Sequence, residues 1–241
     1  MKLVALASFI LATASAIASD TAVITNEVSW KGTTANAEGK ILGTITVETA
    51  ETPDLADWGR SAGELCVAWY PKIIALLPGE DFKPRELVRL RFRKDMSGVA
   101  ATSRNGISIA AKYVRGHTND WGMVVHELTH VVQAYPEAEA GFVKPGWLVE
   151  GIADYIRLTH YEPQARRPRI NPEKASYKDA YKTTAIFLEW AEKHHSKDGT
   201  LVRDLNQSLR EGRFSLDRFK ELTGKTVDEL WQAFTESLRA K

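Results

Sequence analysis

The chain has 241 residues, with 32 Lys and Arg against 31 Asp and Glu and an apolar share of 44%, a composition typical of globular proteins. That balance supplies neither the basic excess nor the stripe a nucleic-acid surface needs, so no nucleic-acid partner is expected. One cysteine, Cys66, rules out an intramolecular disulfide, and its apolar neighbours mark it as a small buried hydrophobe and not a nucleophile.

In chain order, Met1 and Lys2 lead into an uncharged apolar run over residues 3–17, with small residues at Ala14, Ala16 and Ala18 towards its end. The run is too short to span a bilayer and has the layout of a signal peptide. Residues 1–18 are therefore expected to be removed, leaving a secreted or periplasmic chain with no membrane contact and 31 charges of each sign. Residues 22–51 are β-leaning, with a strand expected over 41–47. Residues 54–77 place Leu55, Trp58, Leu65, Trp69, Ile73 and Leu76 mostly at helical spacing, stopped by Pro78 and Gly79. Residues 87–93 alternate apolar and basic, as a half-exposed strand does, so Arg89, Arg91, Arg93 and Lys94 read as a solvated face. A loop over 98–105 and a strand over 106–112 follow. Beyond Thr118, Asn119 and Asp120, which are N-cap candidates, the rest reads as helices and loops. β-rich then α-rich is the order of an α+β protein. No internal repeat is evident, and residues 19–241 are expected to form a single domain, with residues 161–171 the best place for a subdomain boundary.

His126-Glu-Leu-Thr-His130 carries the chemistry. Residues four apart share a helix face, so both imidazoles reach one metal ion. Glu127 is turned about 100° from His126, which aims its carboxylate at a water and makes it a general-base candidate. A second helix begins near Trp147, after the breaks at Pro136, Gly141, Pro145 and Gly146. It carries Glu150 and Asp154 on one face, and a catalytic zinc needs three protein ligands. Either carboxylate would supply the third. His117, His160, His194 and His195 have no ligand spacing and are assigned no chemistry.

Residues 126–135 (HELTHVVQAY) and 150–157 (EGIADYIR), with 181–190 (YKTTAIFLEW), 222–231 (LTGKTVDELW) and 106–113, resemble the plant basic secretory protein family and its bacterial relatives, a group of proposed secreted metallopeptidases. The Glu-Gly-x-x-Asp segment is also similar to its counterpart in thermolysin-like gluzincins. The resemblance implies a zincin-like fold with Zn2+ held by His126, His130 and Glu150. It implies that Asp154 supports a zinc-bound histidine and that Glu127 is catalytic. It makes Tyr181 the candidate donor to a developing oxyanion, although Tyr177 and Tyr181 also fit core or cleft-wall aromatics. Gly106, Ile107, Ser108, Ile109 and Ala110 correspond to the cleft-edge strand that holds an extended peptide. The near-neutral charge departs from the basicity in the family's name. A monomeric zinc endopeptidase acting on peptides or proteins is the leading expectation. A zinc-containing binding or defence module, or an amidase of cell-wall peptides, are the rivals.

Overall fold

The alternation over 87–93 becomes strand β3, and its neighbours set the frame of the molecule. A computed structural model describes residues 27–80, 82–104, 106–136, 142 and 144–240; the candidate signal segment lies outside them. The strands are β1 (Val28–Ala35), β2 (Ile41–Glu48), β3 (Leu87–Arg93), β4 (Ala100–Ser103) and β5 (Gly106–Ala110). They form one sheet in the order β1-β2-β3-β5-β4, with β2-β3 and β3-β5 parallel and both outer pairs antiparallel. Val88, Leu90 and Phe92 are buried on one face of β3, while Arg91 and Arg93 pair with Glu48 and Glu51 on the other. The basic cluster is thus a partly paired strand face.

The helices are α1 (Ala56–Leu76), α2 (Ala111–Gly116), α3 (Trp121–Gln133), α4 (Gly146–Tyr155), α5 (Tyr181–His195), α6 (Leu201–Arg210), α7 (Asp217–Thr223) and α8 (Val227–Arg239). The fold is α+β, as the element order predicts. Helix α1 runs through Pro71, which cannot donate to the carbonyl of Val67. The buried Thr34 hydroxyl on β1 donates to that carbonyl instead, at 2.9 Å. The lost helical bond thereby becomes a tie between helix and sheet. Cys66 is buried in the same helix, and burial pushes its thiol up, away from thiolate chemistry.

Helix α1 packs on β1, β2 and β3 and also against α3, while α3 touches β4 and β5. Helix α3 therefore lies at the β4 end of the sheet. Asp120 caps its start by accepting from the Met123 backbone N–H, and it also accepts from the Tyr113 hydroxyl at 2.6 Å and Arg157 at 2.7 Å. The helix stops at Gln133 because Ala134 turns left-handed, at φ 42°, two residues ahead of Pro136.

Two local expectations are corrected. Residues 98–105 are not all loop, since Ala100–Ser103 form β4. Nor is residues 106–112 an edge strand. The strand ends at Ala110, and Gly106, Ile107, Ser108, Ile109 and Ala110 lie between β3 and β4, so this segment has no free edge for a peptide. It is an interior strand because Ile107, Ile109 and Ala110 are buried, and Gly106 begins it at φ +119°, where a Cβ would meet the Arg89 carbonyl at 2.4 Å. The outer strand on that side is β4.

Candidate metal centre

The i, i+4 spacing on α3 puts His126 and His130 side by side, and the chain reversal after α3 returns α4 over them. His126 Nε2 stands 3.1 Å from Glu150 Oε2 and 3.1 Å from His130 Nε2, and His130 Nε2 stands 3.3 Å from the same carboxylate oxygen. Donor atoms about 2.0–2.2 Å from a tetrahedral ion stand roughly 3.3–3.6 Å apart, so the three atoms nearly outline one face of such a site. These residues form the cluster that could hold a metal ion among the described residues.

The outer ring nitrogens are held as well. His126 Nδ1 meets Asp154 Oδ1 at 2.8 Å, and His130 Nδ1 meets Gln133 Oε1 at 2.6 Å. Both rings therefore turn Nε2 inward. Asp154 is 3% exposed and lies a turn beyond Glu150 on α4, which explains how one short segment reaches both sides of His126. Without a metal, burial opposes the His126 cation, but hydrogen bonds with Asp154 and Glu150 hold its pKa up at about 9. Burial likewise opposes the Glu150 anion, yet hydrogen bonds from His126 and His130 hold it at about 2. The donor set fits a divalent cation: neutralising Glu127, Glu150 and Asp154 is electrostatically what a buried carboxylate group wants.

Glu127 is 7% exposed and stays out of the three-atom cluster. The Thr102 hydroxyl on β4 lies 2.7 Å from Glu127 Oε2 and 3.0 Å from the Glu127 carbonyl, so it anchors the residue from the outer strand. Glu127, the cluster and residues 99–104 line one cavity of about 1040 Å3, which also takes in Asp154 and Tyr181. No residue of β5 lines it.

The two tyrosines separate. Tyr177 is buried among Trp147, Phe187 and Trp231 and is core. Tyr181 is 55% exposed at the cavity wall, its ring stacked over His126 at 6.1 Å. The negative charge of Glu150, then burial, then Glu127 raise its pKa further above the usual phenol range. It follows Ala180, whose φ of 63° and ψ of −170° belong to a region that favours glycine, and is itself left-handed at φ 47°. Such outliers concentrate at functional sites.

Gln133 and Thr102 were not singled out from the sequence. The first had a readable signal, lying three residues after His130 on the same helix face. The second had none, because four short residues in a stretch without apolar alternation carry no strand pattern. His117, His160, His194 and His195 lie outside the cluster.

Together these features define an α+β protein with a candidate metal cluster in the wall of a large cavity. The family model described as "Peptidase of plants and bacteria" matches residues 70–234, and the chain belongs to that family. This agrees with the resemblance to basic secretory proteins. The family's description makes the chain a peptidase by class, with a peptide or protein as substrate. Every residue of the cluster falls within the match, whereas β1 and β2 lie ahead of it. No curated protein matches the chain.

Proposed function

We propose that the protein is a zinc-dependent, zincin-like peptidase exported from the cytoplasm and acting as a single domain on extended peptides. The observation that carries this reading is the convergence of His126 Nε2, His130 Nε2 and Glu150 Oε2 beside a carboxylate, Glu127, that takes no part in the cluster. A site built only to hold a structural metal has no use for that carboxylate, which weighs against a binding or defence module. Export rests on the N-terminal residue pattern alone; among the described residues no helix is long and apolar enough to cross a membrane.

Zinc held there supplies Lewis acidity, polarising a carbonyl and lowering the pKa of water towards about 7. Glu127, steadied by Thr102, takes a proton from the attacking water as the water oxygen bonds to the peptide carbon. It then delivers that proton to the amide nitrogen as the C–N bond breaks. Tyr181 donates its phenolic hydrogen to the developing oxyanion. Asp154 accepts from His126 Nδ1 and fixes the ring.

The test is zinc content followed by cleavage of a diverse peptide library, with a chelated control. One zinc per chain and chelator-sensitive cleavage are expected. A chain that takes up no zinc after supplementation overturns the proposal. Cleavage confined to cell-wall peptides would move the substrate class to the amidase alternative.

A further inference from the structure

The two histidines of the cluster are held by different chemistry. His126 has a carboxylate behind it, but His130 has a neutral amide. Gln133 is 2% exposed and bridges two groups: its nitrogen donates to the Val149 carbonyl at 2.9 Å, and its oxygen meets His130 Nδ1 at 2.6 Å. A carbonyl only accepts, so the amide nitrogen has to face Val149. The amide oxygen then has to face His130, where it requires hydrogen on Nδ1. In the neutral ring that leaves the lone pair on Nε2, pointing into the cluster, and neutral imidazole is the form that binds a metal.

We propose that Gln133 is a positioning residue, a buried amide that sets the tautomer and ring plane of His130 and ties it to the peptide just before Glu150. One side chain thereby places two of the three ligands relative to each other across the gap between α3 and α4. Its own backbone is held from a third element, because Arg210 on α6 donates to the Val132 carbonyl at 3.0 Å and reaches the Gln133 carbonyl at 3.5 Å. The choice of an amide over a carboxylate has a reason in the same contacts. A carboxylate at this position would satisfy His130 but set an unprotonated oxygen against the Val149 carbonyl. It would also add a fourth negative charge to a site that already holds Glu127, Glu150 and Asp154.

This inference rests on the metal-site reading, and the experiment separates the two. Zinc affinity is measured by chelator competition on the full chain, Gln133→Glu and Gln133→Met, alongside the visible spectrum of each protein loaded with cobalt(II). The wild type is expected to bind one zinc. Gln133→Met, which removes the acceptor for His130 Nδ1, should bind about 10–100-fold more weakly, the usual effect of removing a group that orients a metal ligand. Gln133→Glu keeps that acceptor but loses the donor to Val149, and both cobalt spectra should shift. Because Gln133→Glu is nearly isosteric, it carries the test if Gln133→Met does not fold. A wild type without zinc overturns the metal reading. A zinc-binding wild type with variants of equal affinity and unchanged cobalt spectra overturns the role of Gln133.

Discussion

Replacing Glu127 with glutamine removes a single capacity and leaves the surroundings in place. The side chain is 7% exposed, and one of its oxygens accepts from Thr102 at 2.7 Å. In Glu127→Gln the amide oxygen keeps that bond, so the new NH2 group faces the cavity and neither strand β4 nor helix α3 has to move. Because Glu127 lies outside the three-atom cluster, zinc occupancy should also survive. What is lost is an acceptor for the water proton. Positioned acid-base groups contribute about 10²–10⁴-fold, which at about 1.36 kcal/mol per decade is roughly 2.7–5.4 kcal/mol of barrier. The assay is turnover of a peptide picked from the library, at matched zinc content and matched melting temperature. The fall should appear in kcat and kcat/KM together, since the interaction belongs to the transition state. Equal turnover by equally loaded proteins would refute the assignment, and loss of zinc from the variant would instead make Glu127 part of the metal's support.

Three further outcomes follow from the geometry. Glu150→Gln should weaken zinc binding far more than Asp154→Asn, whose loss should cost about 10–100-fold; competition titrations giving the reverse order would make Asp154 the ligand. Gly151→Ala should lower thermal stability by about 1–3 kcal/mol through overpacking, because its Cβ would lie 2.2 Å from Cγ2 of the buried Thr184 on α5, and Thr184→Ser in the same chain should recover part of the loss. In the metal-free protein the His126–Glu150 pair has a defined pH window. His126 is raised from 6.5 to about 9, so its contribution is complete below 6.5 and lost as pH rises through 9. Glu150 is lowered from 4.5 to about 2, so its contribution is present above 4.5 and lost as pH falls through 2. Zinc needs deprotonated ligands, so the gain in melting temperature on adding zinc should grow between pH 6.5 and 9; a gain that shrinks over that interval would contradict the ion pair.

The candidate metal cluster was legible because its information is local. Two histidines at i, i+4 meet on any helix, and α3 needed only its apolar face and the Asp120 cap to form. The third donor was harder: spacing left Glu150 and Asp154 equivalent, and only the packing of α4 against α3 decides which oxygen faces inward and which backs His126. Strand β3 was likewise readable from its period of two. The sheet's order was not, since β5 pairs in parallel with β3 across the intervening segment, Leu90 beside Ile107, and β4, its hairpin partner, carries no strand pattern of its own. The edge position that the resemblance implies for residues 106–110 therefore gives way to an interior one.

Tyr181 shows what kind of information lies beyond both motif and period. Its place at the cavity wall depends on two consecutive residues with positive φ, Ala180 and Tyr181, entering α5. It also depends on Gly151, whose missing side chain lets α5 approach α4 closely enough for Thr184 to fill the space. Neither alanine nor tyrosine advertises a left-handed conformation, and holding each there costs on the order of 1–3 kcal/mol that surrounding packing has to offset. The buried Thr184 hydroxyl, donating to the Tyr177 carbonyl at 2.6 Å, and the capping box formed by Ser176 and Asp179 supply that restraint on either side of the turn. The phenol is thus held at the cavity wall by a strained entry to a helix. A flexible loop would bring the same group to the same wall only part of the time, and the strain is consistent with a side chain whose position matters to the chemistry.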